Sequence, residues 1–294
     1  MNKALENIET KELNYNNKEQ AKEIIRRFTI EYLNNDINNL KDFSFWHIAG
    51  NPSFDKTCSP NSIKDFDGDH TRLAYAIDKL LYGDLKIPNF ILGQTYRGDT
   101  INTFRTLFGN RFFYKENGET QVEIDFKFTE TQKKIRNAFF YKYQTIGNFL
   151  VLPYGTALYG LKSQSINTFR GSVSNWKDYF DVFIGKLEKC LQSREEFQDE
   201  LFLRKLLQTE INKEFFFDYC EGNIEKFYKV FILEGYSSNI FKHGQNYYGH
   251  FKYKGDIDSY KEFAFDYIDK ATVLIDRRSE QIIKILEEKL NNNE

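Results

Sequence analysis

The chain is poor in the residues that usually announce a chemistry. In 294 residues there are three cysteines, Cys58, Cys190 and Cys220, far apart and odd in number, which excludes a disulfide framework and any Cys-x-x-Cys zinc site. The four histidines, His47, His70, His243 and His250, are scattered, form no His-x-x-x-His pair and sit in no nucleophile motif. No run approaches the roughly 18 apolar residues of a membrane helix. The opening stretch MNKALENIETKELNYNNKEQ lacks the apolar core of a signal peptide. One-sided charge is missing too: 41 Lys and Arg against 43 Asp and Glu give a net charge of −2, so no global field draws the chain to nucleic acid or an anionic membrane. These absences lead to the expectation of a cytoplasmic protein with no membrane contact.

What is present is aromatic. There are 29 Phe and 19 Tyr beside one Met, two Trp and four Pro, in a composition that is 40% hydrophobic and 29% charged, the balance of a globular chain. Each ring buries a large area, and a tyrosine can do so while keeping its hydroxyl hydrogen-bonded. Residues 1–16 are polar and asparagine-rich and are expected to lack fixed structure. From 17 to 294 we expect one α-rich domain, with a sub-boundary near 172 as the alternative.

Periodicity supplies the elements. Ala21, Ile24, Ile25, Phe28, Tyr32 and Leu33 make one apolar stripe and predict a helix over 18–34. Residues 38–70 read as irregular, anchored by Phe43, Phe45 and Trp46. Thr71 to Tyr82 predicts a second helix stopped by Gly83, with Asp69 as its cap, and Ile87 to Leu92 a strand. Phe112–Tyr114 and Val122–Phe128 flank Glu116-Asn117-Gly118, the signature of a β-hairpin. Thr129 to Tyr143 returns to helix and Asn148 to Leu152 to a buried strand. Helical patterns then cover 175–191, 194–218, 223–233 and a long final stretch from 256 to near 290. A Gly-, Tyr- and His-rich loop over 236–255 precedes that last helix, and its His243 and His250 lie among aromatics and lysines suited either to stacking bases or to packing the loop down on itself. The basic runs Lys133-Lys134 and Arg277-Arg278 read as solvated helix faces. The fold class is α+β, predominantly α-helical: a small antiparallel sheet enclosed by helices, with a long C-terminal helix as a spine.

The densest unusual block runs from Tyr141 to Asp181. Gly147-Asn148 opens the strand, and Asn167-Thr168-Phe169-Arg170-Gly171 forms a turn ahead of an acidic-aromatic stretch containing Asp178. Arginine offers a planar fork of donors, asparagine a donor and an acceptor, and glycine lets backbone amides approach an anion. Gly147, Asn148, Asn167, Arg170, Gly171 and Asp178 are therefore the candidate ligand site, for a nucleotide or a nucleic-acid phosphate. The alternative is structural, with both asparagines in turns and Arg170 paired to Asp178 or Asp181. Ile-Asn-Thr-Phe-Arg also occurs twice, at 101–105 and 166–170.

The segments TIGNFLVLP, SINTFRG and WKDYFDVF, about 40 residues in all, resemble the central block of an uncharacterised family of bacterial proteins. The resemblance implies kinship and the position of a site, with no reaction attached. The Gly-Asn-aliphatic strand followed by an Asn-bearing turn is also similar to the C-terminal half of HNH-type restriction nucleases. Those enzymes place a metal-activating histidine just upstream, and here Phe126 to Thr145 contains none.

A second cluster, Asp65-Phe66-Asp67-Gly68-Asp69-His70, offers hard oxygens for Mg²⁺, although the EF-hand spacing fails. Three functions follow as expectations. The first is a bacterial or phage-borne recognition protein, acting in phage–host conflict, that grips a nucleotide or phosphate through the Asn/Arg/Gly site. The second is a Mg²⁺-dependent phosphoesterase or nuclease using Asp65, Asp67, Asp69 and His70; no other cofactor is indicated. The third is a protein-binding module with no small-molecule site.

Overall fold

The computed structural model describes residues 17–49, 51, 68–102, 115–116, 119–120, 127–153, 180–193, 203, 206–207, 209–236 and 257–292. Helix α1, Lys18–Tyr32, begins where the Asn17 side chain accepts from the amides of Glu19 and Gln20, and it buries Ala21, Ile25 and Phe28. Among the described residues, the stretch expected to be irregular holds three short 3-10 turns, Ile37–Lys41, Phe45–Ile48 and Gly68–His70. Its predicted anchors do anchor it: Phe45 meets Phe149 edge-on and Trp46 stacks on Phe140.

Helix α2, Arg72–Tyr82, is capped by Thr71, whose hydroxyl accepts from the Ala74 amide. The expected cap, Asp69, falls too early, inside a separate 3-10 turn, Gly68–His70. The predicted strand over 87–92 is absent. Pro88 has no amide to give a ladder, and Asn89 turns the chain at φ 51°. The strand lies further on: β1, Tyr96–Thr100, pairs antiparallel with β4, Phe149–Pro153, from Tyr96 opposite Pro153 to Thr100 opposite Phe149. At the expected hairpin, β2, Lys115–Glu116, pairs with β3, Glu119–Thr120, with Glu116 opposite Glu119, while the expected strands at 112–114 and 122–126 lie outside the described residues and Phe128 is not in a strand. Among the described residues this hairpin pairs only with itself, so the expected single sheet is two separate pairs.

Helix α3, Glu130–Lys142, opens with a reciprocal capping box between Thr129 and Gln132. Helix α4 is Phe180–Gln192 and helix α5 is Glu210–Lys213. From α5 the chain widens into a π-helical turn, Glu214–Tyr219, within the region predicted as one regular helix; Phe215 and Phe216 are both buried there. Helix α6, Ile224–Phe231, is capped by Asn223 and ends on Ile232 at φ 57°, an unusual conformation for a β-branched residue.

The spine is helix α7, Ile257–Asn291, whose 35 residues span roughly 50 Å. Its buried side chains, Phe263, Tyr267, Ala271, Leu274, Ile275, Ile282 and Leu286 among them, recur at three- and four-residue steps. That stripe packs on α2, α3, the Ile37–Lys41 turn and the Ile146–Asn148 turn. At its far end Lys22 donates to the carbonyl of Asn292 and Arg26 to that of Leu290, so cations of α1 satisfy the carbonyls a helix C-terminus leaves unpaired. Among the described residues no helix is long and apolar enough to cross a membrane.

Among the described glycines the closest approach is at Gly147. A Cβ there would lie 2.1 Å from the Ile275 carbonyl oxygen and 2.3 Å from Ser279 Oγ, both on α7. Gly147→Ala must push the β4 turn off the spine, and chemical denaturation should show a loss of about 3 kcal/mol or more, the scale of overpacked cores. Gly222→Ala meets open space at φ 64° and should cost only about 1 kcal/mol. Equal losses at the two positions would contradict this packing.

Candidate functional site

Asn148, the central residue of the expected ligand site, is fully buried. Its Nδ2 donates to the carbonyls of Asn102 and Tyr143, each at 2.7 Å, and its Oδ1 accepts from the Asn102 amide at 2.8 Å and from Asn102 Nδ2 at 3.2 Å. Asn102 in turn donates to Tyr236 Oη and accepts from Tyr267 Oη. Every hydrogen-bonding group of the Asn148 side chain is satisfied inside the protein, where it joins the end of β1 to the start of β4. Gly147 lies against α7 in the same interior. Asn167, Arg170, Gly171 and Asp178 lie outside the described residues, so the second half of that site has no geometry to set beside the first.

Beside this network lies a group that the sequence reading placed on the surface. Arg277 is exposed, but Arg278 is 2% exposed and fully engaged. Its Nε donates to the carbonyls of Phe231 and Ile232, Nη1 to those of Gly147 and Phe149, and Nη2 to Tyr82 Oη. Arg278 holds an inward position of the α7 stripe, four residues after Leu274 and four before Ile282. Arg136, in the other basic run, is likewise 2% exposed. Near Arg278, one turn ahead of Tyr82, Asp78 is buried. Burial pushes its carboxyl up to about 8 against the opposing pull of the Arg278 charge. Burial also lifts the hydroxyls of Tyr82 and Tyr236 to about 12. The Cys220 thiol is pushed up to about 12 for the same reason, which makes it a packing residue and not a nucleophile.

Of the expected metal ligands, Asp65 and Asp67 lie outside the described residues. Asp69 is buried and His70 half-buried, and their turn is pressed onto β1: a Cβ on Gly98 would lie 2.4 Å from the Asp69 carbonyl oxygen, and His70 Nε2 is 3.0 Å from the Gly98 carbonyl oxygen. Among the described residues no group of three His, Cys, Asp or Glu side chains is arranged to hold a metal ion.

A concavity that the sequence reading missed lies between α3 and α7, an open groove of about 520 Å³. Ile135, Ala138 and Phe139 line it from α3, and Ile268, Thr272 and Val273 from α7. Lys142 and Asp276 close one end as an ion pair, with Asp42 on the same ammonium at 2.9 Å, and Asp269 stands on the α7 side. Val273 remains 49% exposed, so the apolar floor is open to solvent. The available sequence signal was Val273 itself, an apolar residue on the polar face of α7.

Comparison of the chain with family models, with curated proteins and with solved structures finds no match.

The buried carboxyl makes a pH prediction. An Asp whose folded value is raised from 3.8 to about 8 keeps its proton in the folded state while the unfolded chain releases it. The folded form therefore binds more protons between those values, and stability should fall as the pH rises from about 4 to about 8. Asp78→Asn, which mimics the protonated side chain, should remove that part of the slope in urea denaturations at a series of pH values. An unchanged slope would contradict a neutral Asp78.

Proposed function

We propose that the protein is a recognition module that holds a protein partner in the α3–α7 groove. The observation that carries this reading is the open apolar floor between two helices, with Val273 and Ala138 exposed at its centre. Two neighbouring helices that leave such a trough match the helix-in-groove mode, in which a third helix lays its apolar face between them. The groove runs along α7 from Ile268 to Asp276, nine residues or roughly 13 Å, enough for about two turns of a bound helix.

Two features favour this reading over the other expectations. Asn148, the residue on which nucleotide or phosphate binding was centred, has no polar group left for a ligand. The Asp69-His70 turn is packed on β1, with Asp69 itself buried.

The reading is tested by NMR titration of the labelled protein with a synthetic amphipathic helical peptide carrying a leucine stripe. Amide shifts should concentrate in residues 135–142 and 268–276. Val273→Arg, which places a charge on the open floor, should abolish them and weaken binding at least about tenfold while leaving the melting temperature within a few degrees. Shifts elsewhere, or none, would remove the groove from consideration.

A further inference from the structure

The rim of the groove is as informative as its floor. On α7, Glu262, Asp266, Asp269, Val273, Asp276 and Glu280 follow one another at alternating four- and three-residue steps, a single line along the solvent side of the helix. Five of these six are carboxylates. Three are matched: Asp266 by Lys270, Asp276 by Lys142 and Glu280 by Lys41. Lys142 also carries Asp42, so its one charge is shared by two acids. Among the described residues Glu262 and Asp269 have no ion pair, and Asp269 lines the groove directly. Arg277 stands exposed on the same side of α7, but the groove lining itself holds two aspartates, Asp269 and Asp276, against the single ammonium of Lys142, which keeps a negative charge beside the apolar floor. The α3 rim carries no such line: Lys134 and Tyr141 stand exposed on either side of Ala138.

We infer that the partner segment is a basic amphipathic helix, with its apolar stripe on Ile135, Ala138 and Val273 and a row of Lys or Arg along the edge facing Asp269. This assignment rests on the groove reading above and adds the chemistry of the occupant. A rim charge contributes little to the fold, because Asp269 is exposed and unpaired, so its effect belongs to the encounter with a partner. An acidic segment, or a second copy of this chain presenting the same acidic rim, would place like charges together and be disfavoured.

The test uses two synthetic helices of identical leucine stripe, one with lysines and one with glutamates along one edge, titrated by fluorescence anisotropy against the full chain at low salt. The lysine peptide should bind about tenfold more tightly, and the difference should shrink several-fold at high salt as screening sets in. Asp269→Lys should narrow the preference to about twofold or invert it, without changing the melting temperature. Equal binding of both peptides to the native chain, or a preference that Asp269→Lys leaves intact, overturns the basic-edge assignment while leaving the groove reading in place. Failure of both peptides to bind, with no effect of Val273→Arg, overturns both. Self-association in sedimentation that Val273→Arg abolishes would assign the groove to a second copy and overturn the basic partner.

Discussion

The structure depends on one buried guanidinium. Arg278 sits inside the spine helix and reaches three other segments: the C-terminus of α2 through Tyr82, the turn into β4 through Gly147 and Phe149, and the end of α6 through Phe231 and Ile232. Removing a cation from water is costly, and here the cost is offset by carbonyl oxygens that have no ladder partner of their own at turns and helix ends. Lysine could not replace it, because a point charge cannot address donors in that many directions at once. The same contacts explain Ile232. Its left-handed backbone, unfavourable for a β-branched residue, turns two adjacent carbonyls toward a single Nε–H.

Around this group four interior polar side chains, Asn148, Asn102, Tyr236 and Tyr267, are committed to one another. Asn148 and Asn102 lock β1 to β4, two tyrosine hydroxyls complete that lock, and Gly147 admits the turn against α7 at a distance no side chain allows. These residues carry chemistry on paper and architecture in fact. On the described surface the helix pair α3 and α7 leaves apolar side chains uncovered beside an acidic line. The Lys142–Asp276 pair at the end of the groove, itself tied to Asp42, fixes the spacing of the two helices and so the width of the trough.

Much of this was legible in the sequence, and the failures have physical causes. Helices α1, α2, α3, α6 and α7 fall where the sequence pattern puts them, all but α7 behind a visible capping side chain. The strand Tyr96–Thr100 was missed because its composition, Tyr-Arg-Gly-Asp-Thr, reads as loop; its Gly98 is there to admit the Asp69 carbonyl, a contact between distant segments that local pattern does not encode. Arg278 was read by charge when its phase in the stripe, between Leu274 and Ile282, already placed it inward. Asn148 was read as a ligand group because asparagine carries a donor and an acceptor and the glycine beside it lets backbone amides approach an anion. Its actual partner, Asn102, belongs to the first copy of the repeated Ile-Asn-Thr-Phe-Arg, again a contact between distant segments that local pattern does not encode. The groove was invisible because it is made by two helices 130 residues apart.

The dependence of these segments on a single side chain is open to direct measurement. Native-state hydrogen exchange on Arg278→Met, read amide by amide, should show protection lost together in residues 78–85, 146–153 and 228–236, because one guanidinium joins all three to the spine. Exchange that rises only within α7 around position 278, leaving those three segments as protected as before, would contradict the account.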